Sequence, residues 1–251
     1  MSVGSWLTRK PRAALPKLRM FCFPYAGGGA TVFNGWETAL PPEVEVLPLH
    51  LPGRERRFSE AAFDNAHEMA PPLMAALSPL LDVPFVFFGH SMGALIAYEL
   101  ALRLSMHGLE PAMLMVSASR APHLPPPRNP LHVLARPEFR AMLSRMGGTP
   151  PEILDNPEFL DLIEPFLRAD FKLAETYRPR RAPSLSCAVR TYGGTLDEDA
   201  PAADLEAWQE VSTGAFSRRM FAGDHFYLKA ERAPLLADIA AVVGTILKTG
   251  P

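Results

Sequence analysis

A serine between two glycines is the first feature of this sequence with the potential for chemistry. Residues 89–93, with the sequence GHSMG, match the pattern G-x-S-x-G. They follow an apolar run, PFVFF, and precede a helical pattern, MGALIAYELALRL, which is the strand-turn-helix context of a nucleophilic serine. The sharp turn exposes the hydroxyl, and the glycines avoid clashes with neighbouring backbone. We therefore predict that Ser91 is a nucleophile, with a chance match in a turn as the alternative.

The elements around this turn alternate between short apolar runs and longer helical patterns. Runs such as FVFF and MLMV are apolar on both faces and predict a parallel sheet covered by helices on both sides. With the serine motif, this alternation predicts an α/β fold similar to the α/β-hydrolases, as a single domain over residues 1–251. Helices are predicted near 65–81, 92–107 and 231–248, the first of them broken at Pro71–Pro72. The predicted strands are Leu18–Pro24, Val44–Leu49, Pro84–Phe88, Ala112–Ser117, Cys187–Tyr192 and Ser217–Phe221.

One long stretch shows no strand pattern. Residues 120–183 begin with a proline-rich segment, APHLPPPRNP, and continue with helical patterns near 137–146 and 157–176. Each pattern begins with Pro-Glu. This pair is typical of a helix start, because proline suits the first turn of a helix and glutamate favours the positive end of the helix dipole. About 60 residues is too long for an ordinary loop. We therefore predict a helical lid over the carboxyl ends of the strands.

The general base should be a histidine late in the chain, because α/β-hydrolases place their triad in the order serine, acid, histidine. The chain has seven histidines. His90 adjoins the serine within the turn and should point away from its hydroxyl, and five others lie too early or in the proline-rich segment. His225 follows a late strand and precedes the last helix. We predict that it accepts the proton of Ser91, because an unassisted serine hydroxyl is a weak nucleophile.

The acid that orients the histidine should lie on a loop after a strand upstream of His225. The run CAVRTYGG is followed by TLDED, in which Asp197 is the first carboxylate and Glu198 and Asp199 are the alternatives. The loop after the preceding strand, SASRAPH, contains no carboxylate. Asp224 adjoins the base, but consecutive residues on a tight loop rarely face each other. Asp197 is therefore predicted to fix the tautomer of the imidazole and to stabilise the imidazolium.

Two backbone N–H groups are needed to stabilise the oxyanion that forms during attack on a carbonyl. One is expected from Met92, which follows the nucleophile at the positive end of a helix. The other is expected from Ala26 in the loop FPYAGGGA, whose glycines let the backbone approach a substrate closely. This loop does not predict a dinucleotide site, because Val32 stands where the third glycine of G-x-G-x-x-G would fall.

Four motifs along the chain carry a family resemblance. They are FCFPYAGGGA, LPGRERR, GHSMGA and GDHFYL, in that order. In combination they resemble the type II thioesterases, the stand-alone editing enzymes of polyketide and nonribosomal peptide synthesis, over about residues 18–248. The family uses serine, aspartate and histidine at the positions of Ser91, Asp197 and His225, and it has a helical lid.

The resemblance implies a substrate class and a partner. It implies hydrolysis of acyl groups from the phosphopantetheine arm of acyl or peptidyl carrier proteins, through an acyl-enzyme. It implies no dissociable cofactor, because the pantetheine belongs to the partner. A carboxylesterase or lipase acting on free esters is an alternative, since the same residues cleave esters and thioesters. A non-catalytic relative that binds carrier proteins, or acyl transfer to an alcohol or amine, also fits the sequence.

Apolar residues at helical spacing in the predicted lid either line an acyl chamber or pack on the rest of the domain. We predict that Phe139, Met142 and Phe166, together with Tyr25 beside the oxyanion loop, bind the substrate. Two arginine clusters are either solvated surface or contacts with an acidic carrier protein or the pantetheine phosphate, through the charge-assisted hydrogen bonds that arginine forms well. The clusters are Arg54, Arg56, Arg57 and Arg178, Arg180, Arg181.

Composition excludes several other classes of protein. The formal net charge is −2, so no general attraction to nucleic acid or membrane is expected. Cys22 and Cys187 lie in apolar runs, as buried thiols do in a reducing cytosol. Without an apolar run of the length of a signal peptide or a membrane span, we expect a cytoplasmic protein, with a monomer as the default state. The sequence contains no HExxH, paired-cysteine or phosphate-loop motif, so no metal is predicted.

Overall fold

A computed structural model describes residues 3–9, 14–125, 129–180 and 184–250 of the chain, which is built around one central sheet. Its strands are β1 (Leu18–Phe23), β2 (Val44–Pro48), β3 (Phe85–His90), β4 (Met113–Ser117), β5 (Ala188–Gly194) and β6 (Phe216–Phe221). They form one sheet in the order β2-β1-β3-β4-β5-β6, and every pairing is parallel. The predicted fold class is confirmed, and each predicted strand agrees with an observed one to within two residues at each end.

Helices cover both faces of this sheet. They are α1 (Val3–Trp6), α2 (Ala66–Leu77), α3 (Met92–Ser105), α4 (Arg136–Met146), α5 (Pro151–Leu154), α6 (Pro157–Thr176), α7 (Ala202–Glu206), α8 (Tyr227–Ala230) and α9 (Arg232–Thr249). Because successive side chains of a strand point to opposite faces, Phe21 and Phe87 pack with α2 and α3, whereas Met20 and Phe88 pack with α9. Strands that are apolar on both faces therefore fill two cores. None of the described helices has the length and apolar character needed to cross a bilayer.

Helix α2 continues through its two prolines, so the predicted break at Pro71–Pro72 is wrong. Proline at position 71 removes the N–H that would bond to the carbonyl of His67. The Nη2 atom of Arg103 on α3 donates to this carbonyl instead, at 3.0 Å. Pro71 itself is exposed, so its ring enters no packed interface. A donor from the neighbouring helix thus replaces one of the hydrogen bonds that the prolines remove.

The connection between β4 and β5 carries helices α4, α5 and α6. The predicted insertion, residues 120–183, includes 126–128 and 181–183, which lie outside the described residues. In the part that the structure describes, the insertion contains helices and a short 3-10 turn but no strand. Its helices build a small core of their own, next to α3 and the loop after β1. This core consists of Phe139, Leu143, Leu154, Leu160, Leu167 and Phe171.

Candidate active site

Ser91 occupies the sharp turn between β3 and α3. Ser91 has a φ of 54° and a ψ of −120°, a strained conformation that residues other than glycine rarely adopt. The surrounding structure maintains this strain, because the N–H of Ser91 donates to the carbonyl of Ser117 on β4 at 2.8 Å. A side chain at Gly89 would overlap the backbone of Gly93, and one at Gly93 would overlap the carbonyl of Phe23. The turn therefore requires both glycines of the G-x-S-x-G motif.

His225 and Asp197 form a hydrogen-bonded pair beside this turn. Asp197 follows β5, His225 follows β6, and the distance from Nδ1 of His225 to Oδ2 of Asp197 is 2.9 Å. The Asp197 carboxylate is buried, and its Oδ1 accepts the N–H groups of Asp199 at 3.0 Å and Ala200 at 3.2 Å. Because a carboxylate only accepts hydrogen bonds, Nδ1 carries the proton and Nε2 is left as the basic nitrogen of the neutral ring.

The alternative acids do not make this bond. Glu198 and Asp199 are exposed. Asp224 is also exposed, and its Oδ1 accepts the N–H of Phe226 at 2.8 Å, which makes it a local cap of the loop that carries the histidine. Among these four carboxylates, the buried Asp197 is the one that is hydrogen-bonded to His225.

Asp197 and His225, together with the neighbouring Asp199, have side chains of the types that bind metal ions. Ligand atoms of Asp197, Asp199 and His225 lie within 4.8 Å of one another. However, Nδ1 of His225 is bonded to Oδ2 of Asp197 at 2.9 Å, so one nitrogen and one carboxylate oxygen of this group are already engaged with each other. The arrangement suits an acid-base pair better than a cation site.

Ser91 and His225 lie on the walls of two adjoining cavities. The larger, of about 990 Å³, extends along the segment after β4 and is also lined by Met142. The smaller, of about 260 Å³, is lined by Tyr25 and Phe166. Of the predicted substrate-binding residues, these three therefore lie on cavity walls.

The fourth predicted substrate-binding residue, Phe139, does not lie on either wall. It is fully buried in the core of the insertion, with its ring edge against Phe171 at a centroid distance of 5.8 Å. The guanidinium of Arg168 covers its ring at 4.2 Å. The expectation that Phe139 contacts substrate is thus corrected: it supports Phe171, which lines both cavities.

The two predicted oxyanion donors, Met92 and Ala26, line cavities that Ser91 also lines. Met92 is the first residue of α3 and lines the larger cavity, whereas Ala26 lines the smaller one. The next two N–H groups of the loop after β1 are already bonded. Gly27 donates to Oδ2 of Asp170 at 2.7 Å, and Gly28 donates to the carbonyl of Tyr25 at 2.9 Å. Among the described residues, no hydrogen bond uses the N–H of Met92 or Ala26.

A buried polar chain that the sequence did not reveal supports the histidine loop. His90, fully buried, shares a 2.8 Å hydrogen bond with Ser117, which in turn shares one of 2.6 Å with Tyr227. The His90 ring meets the His225 ring at a centroid distance of 5.4 Å. Burial, together with the neighbouring His225, lowers the pKa of His90 well below its ordinary value, so this ring stays neutral. The sequence signal was the histidine that precedes the nucleophile, set aside earlier as facing away from the serine.

Most of the first arginine cluster is built into the structure, and Arg56 is its exposed member. Arg54 and Arg57 are buried. Arg57 donates to both carboxylate oxygens of Glu60 and lies over the ring of Trp6 at 4.2 Å. Arg56 donates to the N-terminal segment, with bonds to Thr8 and to two backbone carbonyls.

The second cluster differs from the first. Arg178 and Arg180 are exposed, and Arg178 lines the larger cavity. Arg181 lies outside the described residues. The two described members of this cluster are therefore open to a partner.

Comparisons with known proteins agree with this geometry. A model of the thioesterase domain family matches residues 18–243. The chain is also 38% identical over 251 residues to linear gramicidin dehydrogenase LgrE of Brevibacillus parabrevis, covering 98% of this chain and 95% of that protein. The name of that relative describes a dehydrogenase, but the glycine loop after β1 lacks the dinucleotide fingerprint, because Val32 replaces its third glycine.

Two solved structures share the whole architecture. RedJ, a thioesterase from the prodiginine pathway of Streptomyces coelicolor, superimposes with a TM-score of 0.85 at 37% identity, over 92% of this chain and 94% of RedJ. BorB, a type II thioesterase from the borrelidin biosynthetic cluster, gives a TM-score of 0.84 at 33% identity, over 96% of each chain. The chain belongs to the thioesterase family, whose members hydrolyse thioesters. Within this family, its neighbours are type II enzymes of polyketide and nonribosomal peptide pathways.

Proposed function

We propose that this chain releases acyl groups from the phosphopantetheine arm of acyl or peptidyl carrier proteins, with Ser91 as nucleophile, His225 as base and Asp197 as orienting acid. The observation that carries the assignment is the 2.9 Å bond between His225 and the buried Asp197. His225 lies on the wall of the larger cavity, and the strained Ser91 lies on the same wall. The family supports hydrolysis of thioesters, and the type II neighbours support a carrier-bound substrate.

The chemistry follows from the protonation states of the three side chains. Nε2 of His225 takes the hydroxyl proton as Ser91 Oγ attacks the thioester carbonyl. The N–H groups of Met92 and Ala26 receive the oxyanion. His225 then gives its proton to the departing pantetheine sulfur, which leaves an acyl-serine ester. The same nitrogen next takes a proton from a water molecule as this water attacks the acyl-serine carbonyl. His225 then gives that proton to Ser91 Oγ as the bond to the acyl group breaks, which releases the free acid and restores the serine hydroxyl.

The two cavities suggest separate places for the two halves of the substrate. The smaller cavity adjoins the oxyanion loop and is lined by apolar side chains of the insertion, including Ile163 and Phe166, together with Tyr25. We assign the smaller cavity to the acyl chain. Its volume of about 260 Å³ favours short acyl chains over long ones. The larger cavity, with Met142 and the cationic Arg178 on its wall, is assigned to the pantetheine arm. In this assignment α4, α5 and α6 act as a lid over the site.

Other parts of the proposal concern the setting of the enzyme. The chain is expected to act in the cytoplasm as a single-domain monomer, with a carrier protein as partner and with neither nucleic acid nor membrane involved. The exposed Arg178 and Arg180 are the candidates for contact with the acidic carrier surface. No cofactor takes part, because every proton transfer above uses His225.

The test is release of a butyryl group from a phosphopantetheinylated carrier protein, compared with hydrolysis of ethyl butyrate. The intact enzyme should release butyrate from the carrier and act poorly on the free ester. Ser91→Ala should reduce the rate on the order of a thousandfold or more. Ser59→Ala is the matched control, because Ser59 is an exposed serine that lines neither cavity, and it should stay within about twofold of the intact enzyme.

Each rival function gives a different result in this assay. A faster reaction with the free ester would identify an esterase. Carrier binding without release would identify a non-catalytic relative. Equal activity of Ser91→Ala and the intact enzyme would refute the assignment of the nucleophile.

A further inference from the structure

A buried carboxylate ties the helical insertion to the loop that carries the proposed oxyanion donor. Asp170 lies in the second half of α6 and is 1% exposed. Its Oδ2 accepts the N–H of Gly27 at 2.7 Å and Nη1 of Arg54 at 2.5 Å. Its Oδ1 accepts Nη2 of the same arginine at 2.7 Å. The two charges thus form the two-pronged contact that makes an arginine-carboxylate pair directional.

Arg54 is as completely engaged as its partner. It is 5% exposed, and its remaining donors reach the carbonyls of Pro52 at 3.2 and 3.3 Å and of Gly28 at 3.3 Å. Its guanidinium lies over the ring of Phe166 at 4.9 Å. The pair therefore connects three segments of the chain, namely the loop after β2, the loop after β1 and α6. A buried pair with these additional hydrogen bonds holds its geometry, because losing one partner would leave an uncompensated buried charge.

We infer that Asp170 is a positioning residue for the oxyanion hole. Its bond to the N–H of Gly27 fixes the peptide plane that joins Gly27 to Ala26, and Ala26 supplies the proposed second donor. Gly27 has a φ of +80°, a conformation that a glycine can also leave easily because it has no side chain. The N–H of Ala26 lies in the preceding peptide plane, whose carbonyl, that of Tyr25, accepts from the N–H of Gly28. The carboxylate restrains the adjoining plane, and so limits the rotation about Ala26 that would redirect the donor. This inference rests on the proposed function, because it assumes that Ala26 binds the oxyanion.

The same link joins the oxyanion loop to the wall of the proposed acyl chamber. Phe166 and Leu167 on α6 line the smaller cavity together with Ala26 and Gly27. The Arg54 guanidinium holds Phe166 from behind, and Asp170 lies one helical turn further along α6. Displacement of α6 would therefore move the chamber wall and the donor together. Changes in turnover and in acyl-chain preference should accordingly appear in the same variants.

The expected effect concerns the transition state more than substrate binding. Complete loss of one oxyanion donor reduces kcat by about 10² to 10³. Asp170→Ala removes the restraint without removing the donor, so we expect kcat to fall by about 10- to 100-fold with KM changed by less than about threefold. Asp170→Asn keeps an oxygen that accepts from Gly27 but loses the charge facing Arg54. It should therefore recover part of the lost turnover.

A second buried ion pair in the chain provides a matched control for general destabilisation. Asp238 on α9 is 8% exposed and accepts from Nε and Nη2 of Arg190 at 2.9 and 2.8 Å. It touches β5 and β6 but lines neither cavity. Asp238→Ala should lower Tm at least as much as Asp170→Ala while leaving kcat of the folded enzyme within about twofold.

The deciding experiment measures inhibition as well as turnover. A butyryl trifluoromethyl ketone forms a tetrahedral adduct with Ser91 and places an oxyanion in the hole, whereas butyramido-pantetheine forms no adduct. In Asp170→Ala, the Ki of the ketone should rise by the same factor by which kcat/KM falls, and the Ki of the amide should stay within about threefold. The acyl-chain profile should shift in the same variant.

The outcomes separate this inference from the proposed function. If the intact enzyme hydrolyses no carrier-bound thioester, the proposed function fails. If the intact enzyme and Asp238→Ala are active and Asp170→Ala keeps full kcat, only the positioning role is overturned. Unchanged ketone inhibition in a slow Asp170→Ala enzyme also overturns it. If Asp170→Ala does not fold, Asp170→Asn and Arg54→Lys undergo the same measurements and decide in the same way.

Discussion

The substitution Asp197→Asn separates the orientation of the base from the stability of the fold. Oδ1 of Asp197 accepts two backbone N–H groups, those of Asp199 and Ala200, and Oδ2 accepts from His225. An asparagine must point its carbonyl oxygen at the two N–H groups, because its NH₂ group cannot accept from them. The NH₂ group then faces Nδ1 of His225, which must accept. The ring is forced into the tautomer that carries its proton on Nε2, and Nε2 can no longer take the proton of Ser91.

The size of the effect follows from this tautomer switch. The wrong tautomer in a serine triad reduces kcat by about 10⁴, which corresponds to about 5 kcal/mol of transition-state stabilisation. Stability should change little, because the backbone N–H groups of Asp199 and Ala200 keep their acceptor. Asp197→Ala, in contrast, leaves both buried N–H groups unpaired at a cost of about 1–3 kcal/mol each. For a chain of this size, each kcal/mol lowers Tm by about 2–4 °C.

The assay measures kcat for thioester release from the carrier protein and Tm by differential scanning calorimetry. Asp197→Asn should be about 10⁴-fold slower with a Tm within a few degrees of the intact enzyme, and Asp197→Ala should be both slow and less stable. Glu198→Gln is the control, since Glu198 is an exposed neighbour in the same turn that lines neither cavity, and it should stay within about twofold. An Asp197→Asn enzyme with more than a tenth of normal kcat would refute the assignment of the acid.

Three further predictions follow from other parts of the structure. Ile163→Phe narrows the smaller cavity, so the preferred acyl chain should shorten, and an unchanged profile across acyl lengths would remove the acyl chain from that cavity. Gly93→Ala should prevent folding or lower Tm strongly, because a Cβ there overlaps the Phe23 carbonyl; an active Gly93→Ala enzyme of normal Tm would contradict the geometry of the turn. Burial raises the pKa of Glu55, but hydrogen bonds from the side chains of His50 and Thr31 and from the backbone N–H groups of Thr31 and Ala30 outweigh it and lower the pKa from its ordinary 4.5 to about 2. Because Glu55 is exposed, solvent screens these interactions, and the stabilisation is well below the roughly 3 kcal/mol that the shift alone would give. It is fully present above pH 4.5 and lost as the pH falls towards 2. The free energy of unfolding, measured with urea, should fall less between pH 5.5 and pH 3 for Glu55→Gln than for the intact chain. Equal falls in the two proteins would contradict the lowered pKa of Glu55.

The sequence predicted those features that depend on local pattern. A parallel strand buried on both faces leaves a continuous apolar run, and a strained turn leaves its two glycines, so both could be read without tertiary information. The continuity of α2 could not be read, because the donor that replaces a hydrogen bond lost at Pro71 comes from Arg103 on another helix. The burial of Arg54 was hidden for the same reason, since its partner Asp170 lies 116 residues further along the chain.

The misplacement of Phe139 has a different cause. Helix α4 is apolar on the side that packs against α6 and also contributes to the cavity wall, so apolar spacing marks both kinds of position alike. Phe139 lies on the packed side and Met142 on the cavity side, although only three residues separate them. Periodicity identifies a buried face of a helix. Periodicity does not distinguish a residue packed in the protein core from a residue on a cavity wall.

The connectivity of the sheet explains why these distant residues converge. Every strand pairing is parallel, so the carboxyl ends of all six strands lie at one edge, where ligands bind in open α/β sheets. The loop after β1 carries Ala26, and the loop after β2 carries Arg54. The turn after β3 carries Ser91, and the insertion after β4 carries Asp170. The turns after β5 and β6 carry Asp197 and His225. The insertion leaves the sheet at the same edge, and residues of its helices line the two cavities that Ser91 also lines. An ion pair between the insertion and the loop after β2 therefore has the position needed to link acyl-chain binding with oxyanion stabilisation.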